Sequence, residues 1–183
     1  MEWLIPVIII VALVLWVISM YNGLVRLRNQ VRNAWSQIDV QLKRRHDLIP
    51  NLVETAKGYM KHERETFEAI TNARAQAMAA KTVGETAQAE SQLQGALSRF
   101  NLVVENYPEL KANANFLSLQ EELTSTENKV GFSRQFYNDQ VMQFNNRIES
   151  VPTNIVAGMF RFEKSDFFEL ESPAERVVPK VSF

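Results

Sequence analysis

From Trp3 to Val25 the chain carries no charged residue, and the run from Val7 to Ile18 is apolar on every face that a helix could present. A helix built for a water-soluble core needs only one apolar stripe, whereas a helix apolar all round needs lipid. At about 1.5 Å per residue, residues Trp3 to Met20 rise roughly 27 Å, close to the ~30 Å hydrocarbon layer of a bilayer. Trp3 and Tyr21 stand at the two ends, where aromatic rings prefer the headgroup level, and Pro6 lies in the first turns, where few hydrogen bonds are lost. The pattern predicts a transmembrane helix over residues 3–20 within an anchor of residues 1–22. A cleaved signal peptide would need a basic start and a small-residue cleavage site, but the chain offers Glu2 and Ser19-Met20-Tyr21. After the span, Arg26, Arg28 and Arg32 arrive before the next acidic residue, Asp39. The positive-inside rule then predicts an outside N-terminus and a cytoplasmic soluble domain.

Beyond the anchor the apolar positions fall on alternating spacings of three and four. Leu24, Leu27, Val31, Trp35, Ile38, Leu42, Ile49, Leu52, Ala56 and Tyr59 form one heptad-like stripe. It crosses Pro50 in phase, so the proline either kinks one helix or begins a second. An alanine-rich stretch from Phe67 to Lys81 follows, broken at Thr82-Val83-Gly84. A third helix is predicted from about Glu85 to Asn106, and a fourth from about Lys111 until Val151-Pro152 stops it. Short connections between long amphipathic helices favour antiparallel neighbours. The expected fold is therefore all-α: the transmembrane helix, then an elongated antiparallel bundle of about four long helices over residues 23–151. Residues 152–183, with prolines and clustered aromatics, read as an irregular tail partly docked on the bundle.

Composition narrows the chemistry. Twenty Lys and Arg against 21 Asp and Glu leave a formal charge of −1, which gives no reason to expect nucleic acid as a partner. The absence of cysteine removes disulfides, thiolate metal sites and cysteine nucleophiles. The two histidines, His46 and His62, lack the Glu-x-x-His spacing of di-iron bundles, and no phosphate loop, nucleophile elbow or His-Glu-x-x-His motif is present. No cofactor, metal or catalytic residue is assigned. Charged residues at core-type positions are the exception to a bland pattern. Arg45 interrupts the first stripe, and Glu127 and Arg134 interrupt that of the fourth helix, Phe116, Leu119, Leu123, Val130, Tyr137, Val141, Phe144 and Ile148. Buried charge demands a partner, so a structural polar network is expected in which Glu127 pairs with Arg45 or Arg134, supported by Asn138 and Asn145. Solvation of these charges at the bundle rim is the alternative.

Long segments of the chain resemble the bacterial LemA family: Tyr21-Asn22-Gly23-Leu24-Val25, residues 32–40 (RNAWSQIDV), residues 44–54 (RRHDLIPNLVE), residues 105–113 (ENYPELKAN), residues 117–123 (LSLQEEL), residues 126–130 (TENKV), Phe136-Tyr137-Asn138, and the ending Pro179-Lys180-Val181-Ser182-Phe183. The resemblance implies a single-pass protein of the bacterial cytoplasmic (inner) membrane with a helical bundle and no established enzymatic activity or cofactor. It also implies envelope proteins, including membrane proteases, as partners.

The expected function is a non-enzymatic membrane-anchored scaffold or adaptor that self-assembles as a homo-oligomer and serves envelope stress or membrane-protein quality control. Two alternatives stand beside it. One is a metal-dependent or catalytic factor in which a bend at Pro50 brings His46, Asp47 and Glu54 together; the other is a ligand-sensing module whose buried charges act as a switch.

Overall fold

The computed structural model describes residues 3–169. The chain is all-helical: α1 (Leu4–Lys57), α2 (Arg64–Ala79), α3 (Val83–Val104), α4 (Pro108–Lys111), α5 (Ala114–Glu149) and α6 (Thr153–Met159). The choice left open at Pro50 is resolved, because Pro50 lies inside a single continuous α1. The anchor likewise runs into the first stripe without a break at Asn22-Gly23. The closing motif Pro179–Phe183 lies outside the described residues.

Local chemistry sets the remaining boundaries. Thr82 ends the alanine-rich stretch by capping α3: its hydroxyl accepts from the Glu85 amide at 3.2 Å, and the Glu85 carboxylate accepts from the Thr82 amide at 3.1 Å. This is a capping box. The two backbone amides of Lys81 and Thr82 hold the Glu85 carboxyl below its ordinary pKa. The fourth long helix starts at Ala114, slightly later than the expected start near Lys111. Pro108 opens the separate turn α4, and the Asn113 side chain then accepts from the Phe116 amide at 3.0 Å as the cap of α5.

The chain divides into two compact units, Met1–Gln41 with Lys129–Phe167 and Leu42–Asn128 with Phe168–Phe183. In the first, α1 contributes Leu24, Val31, Ala34 and Ile38 to the interior, α5 contributes Val130, Tyr137, Val141 and Phe144, and α6 contributes Val156 and Ala157. The core seat on α1 is Ala34 rather than the expected Trp35, whose ring is half-buried and packs edge-on against Tyr137 at 5.4 Å. Tyr137 donates its hydroxyl hydrogen to the Asp166 carbonyl at 2.9 Å. Burial, with the nearby Asp166 charge, pushes its phenol up to about 12. The Asn145 amide grips the Ser165 backbone on both sides, donating to the carbonyl and accepting from the N–H, each at 2.9 Å. The expectation of an irregular tail over residues 152–183 is corrected for its start: α6 is about two helical turns whose Thr153, Val156 and Ala157 point inward at spacings of three and one, residues 162–169 form no regular element, and the rest of the tail lies outside the described residues. Two turns of pattern are too short to register as a period.

The second unit holds the larger core. Ile49, Leu52 and Ala56 of α1 meet Phe67 and Ile70 of α2, Leu93, Leu97 and Phe100 of α3, Leu110 of α4, and Phe116 and Leu123 of α5. Phe100 lies between Phe67 and Phe116, with ring centroids 6.3 Å apart on each side. Each such fully buried side chain contributes about 1.5–3 kcal/mol relative to exposure. The connection from α3 to α5 is fastened by Tyr107, which donates to the Glu63 carboxylate at 2.9 Å, and by Asn113, which donates to the Tyr59 hydroxyl at 2.9 Å. The hydrogen bond to Glu63 raises the Tyr107 phenol pKa.

A candidate functional site at the buried ionic centre

The polar centre of the second unit forms where α1, α2 and α3 meet. Arg45 and His46 follow one another on α1 and are 3 % and 7 % exposed; Glu90 on α3 is 5 % exposed. One Glu90 oxygen accepts from Arg45 Nη1 at 3.1 Å, and the other lies 2.6 Å from His46 Nε2. Arg45 Nη2 donates to Gln94, one helical turn after Glu90. A single carboxylate thus bridges two consecutive side chains of the neighbouring helix.

Pro50 explains a further contact. In an uninterrupted helix the amide of residue 50 would donate to the carbonyl of residue 46, but proline has no N–H to give. Arg74 of α2 supplies the missing donor, its Nε lying 2.7 Å from the His46 carbonyl oxygen. The proline therefore stays inside α1 because a neighbouring helix satisfies the carbonyl it leaves open. His46 is held at both ends, its ring by α3 and its carbonyl by α2.

The expected network is corrected on this point. Arg45 is paired with Glu90 and Gln94, not with Glu127, which is half-buried and forms no ion pair among the described residues. The adjacent position Thr126 takes the core seat on α5, 1 % exposed, with its hydroxyl turned back to the Glu122 carbonyl. Arg134, Asn138 and Asn145 belong to the first unit, where Asn145 is committed to the Ser165 backbone. The signal for Glu90 was present, since the α3 stripe of Leu93, Leu97, Phe100 and Val104 extends back three residues onto it.

The structure does not gather His46, Asp47 and Glu54 into a site. Helix α1 is continuous through Pro50, Asp47 and Glu54 are exposed, and Glu54 pairs with Lys57 at 2.6 Å. Among the described residues no group of three or more metal-ligating side chains forms. A cleft of about 580 Å³ lies at the end of α1 and the start of α2, lined by Lys57, Met60, Lys61, Arg64, Phe67 and Glu68 among others. Its Lys57 and Arg64 are already neutralised by Glu54 and Glu68. The buried centre ties α1, α2 and α3 together through Glu90, Gln94 and Arg74, with Arg45 Nε left buried and without a hydrogen-bond partner among the described residues.

Of the predicted membrane-flanking residues, Trp3 is exposed, and Tyr21 packs against Phe160 and Phe162 with centroids 4.7 and 5.7 Å away. Arg28 lies over the Phe162 ring at 5.2 Å, while Arg26 and Arg32 are exposed on α1. Every residue from Leu4 to Trp16 is exposed, and α1 as a whole is a helix long and apolar enough near its N-terminus to cross a bilayer.

Known proteins give the same picture. The LemA family model matches residues 34–183. "Protein LemA" of Metamycoplasma hominis is 31 % identical over 74 % of this chain, and the match spans 63 % of that protein's length, less than two thirds of it. Magnetosome protein MamQ 2 of Paramagnetospirillum magneticum and Magnetosome protein MamQ of Magnetospirillum gryphiswaldense are 24 % and 23 % identical, each over 93 % of this chain and 72 % of the relative. None of these names denotes an enzyme, and together with the apolar first part of α1 they point to a membrane-associated helical protein. With the family match extending from Ala34 through the ionic centre and the core of both units, the chain belongs to the LemA family.

Proposed function

We propose that this protein is a non-enzymatic scaffold or adaptor of the bacterial inner membrane, with its N-terminus outside and its helical units on the cytoplasmic side. The observation that carries the reading is the continuity of α1. One helix is exposed and apolar over Leu4–Trp16 and buried at Leu24, Ile38, Leu52 and Ala56, so the element that enters lipid also forms the core of the folded part. A span built this way transmits position and direction, as a scaffold requires, while the polar centre serves register. Arg26, Arg28 and Arg32 support a cytoplasmic C-terminal side. Self-assembly and service to membrane-protein quality control, with envelope proteins such as a membrane protease as partners, complete the proposal.

Three measurements on the full chain test it. Carbonate-washed membranes are expected to retain the protein, and a reporter active only in the cytoplasm is expected to be active when fused after the folded part. Crosslinking in native membranes is expected to recover the chain with itself or with membrane proteins. Release by carbonate, a reporter active only outside, or crosslinks to neither class would each overturn the corresponding part.

A further inference from the structure

Residues 151–160 contain no charged side chain. Within them α6 turns Thr153, Val156 and Ala157 inward, whereas Val151, Ile155, Met159 and Phe160 remain 79, 63, 70 and 51 % exposed. A short helix resting on a water-facing surface carries polar or charged residues outward; this one presents Ile155, Gly158 and Met159, with Asn154 as its single exposed polar side chain.

Its neighbour indicates what covers that face. Phe160 packs on Tyr21, the aromatic residue that closes the apolar run of α1. Exposure along α1 changes at the same level, for Leu4–Trp16 are exposed while Met20 and Leu24 are buried. The outer face of α6 is thus held beside the end of the span, within one compact unit and contiguous with the lipid-facing surface. Arg161 follows Phe160, and Arg28 lies over Phe162, so cations border the apolar patch as they do at membrane interfaces.

We propose that α6, with Val151 and Phe160, is a second membrane contact, an interfacial segment whose outer face lies in the lipid surface of the leaflet where α1 ends. Interfacial helices of this kind bury their apolar face about 5–10 Å into the headgroup–acyl boundary. The inference rests on the reading of α1 as a span. Its consequence is geometric. A single span leaves rotation about its own axis free, and a second contact beside it fixes which side of the first unit faces the membrane.

The chain has no cysteine, so single cysteines can be introduced without background. Full-length protein bearing Ile155→Cys or Met159→Cys would be labelled with an environment-sensitive fluorophore and reconstituted in vesicles of phosphatidylcholine and phosphatidylglycerol. Ile10→Cys serves as the span control, and Gln135→Cys, exposed on α5 of the same unit, as the water control. Labels at residues 155 and 159 are expected to shift to the blue and to be quenched by lipids carrying a nitroxide near the headgroup. The label at residue 10 should respond best to deep nitroxides, and that at residue 135 to neither. Labels at 155 and 159 that match the water control, with residue 10 in lipid, overturn this inference alone; residue 10 in water overturns the reading of α1 itself. A blue shift that vanishes when the protein is diluted with lipid means that a second copy covers the face, and also overturns the proposal.

Discussion

Pro50 and Arg74 should be energetically coupled although they sit on different helices, because one creates the vacancy that the other fills. Pro50 leaves the His46 carbonyl without its helical donor, and Arg74 Nε donates to it at 2.7 Å. A hydrogen bond from a charged donor contributes about 1.5–3 kcal/mol, and the half-buried position of Arg74 favours the lower end. Arg74→Met, which keeps much of the apolar stem, is therefore expected to cost about 1.5 kcal/mol in the parent protein. Pro50→Ala restores an amide at the one position able to satisfy the His46 carbonyl from within α1. In that background Arg74→Met should cost about half as much or less, a coupling of about 1 kcal/mol, above the ~0.3–0.5 kcal/mol scatter of independent sites. Native-state hydrogen exchange of the amides of α1 and α2 in the full-length protein reads these local opening free energies. Additivity of the two substitutions within that scatter would refute the argument that Arg74 answers the proline.

Three further outcomes follow from the same geometry. Glu90→Ala strands Arg45 and His46 in the core and is expected to destabilise the second unit by about 3–5 kcal/mol, whereas Glu122→Ala, which breaks the exposed 2.6 Å pair with Arg44, should cost no more than about 1 kcal/mol; comparable losses in chemical denaturation would show that the Glu90 centre is solvated. Thr82→Ala removes the cap of α3 and should cost about 1 kcal/mol; because the Glu85 carboxyl is held below its ordinary value, the stability it contributes is present above the unfolded carboxylate pKa and lost as pH falls through the folded one, so Glu85→Gln should flatten the acid limb of a stability–pH profile. Tyr137, held up to about 12, contributes stability that is complete below the unfolded phenol pKa and lost as pH rises towards the folded value. Tyr137→Phe should flatten that alkaline limb at a loss of about 1 kcal/mol near neutrality, and a phenol titrating at its ordinary value by tyrosinate absorbance would contradict the burial.

What the sequence disclosed follows how strongly each element is determined by its own residues. The apolar part of α1 is legible because lipid exposure and core burial demand different patterns, and a helix apolar on every face satisfies only the first. Helix α3 was legible from its stripe, and its start is written in Thr82 and Glu85. Helix α6 was not legible, because its inward residues Thr153, Val156 and Ala157 span little more than one turn and its outward residues, Asn154 apart, are apolar as well, so little contrast between faces marks it. The same lack of contrast is what makes its exposed face informative once the fold is known.

Arg45 shows the limit for the ionic centre. Its place in an apolar stripe announces a buried charge, but several acidic residues on other helices could answer it, and the pairing depends on how α3 and α5 are rotated. On α5 the choice between neighbouring positions was decided for Thr126, whose short side chain can bury its hydroxyl against the Glu122 carbonyl, leaving Glu127 half-buried. On α3 the core face continues through Glu90, and Gln94 one turn later adds a second partner for Arg45. The segment His46-Asp47-Leu48-Ile49-Pro50, within the resemblance over residues 44–54, then acquires a physical explanation. His46 occupies the carboxylate through its ring, Pro50 opens its carbonyl, and Arg74 closes it, so that α1, α2 and α3 meet in a single register at this point. A residue that fitted the ring's place but not the proline's, or the reverse, would satisfy one neighbouring helix and leave the other with an unanswered buried polar group.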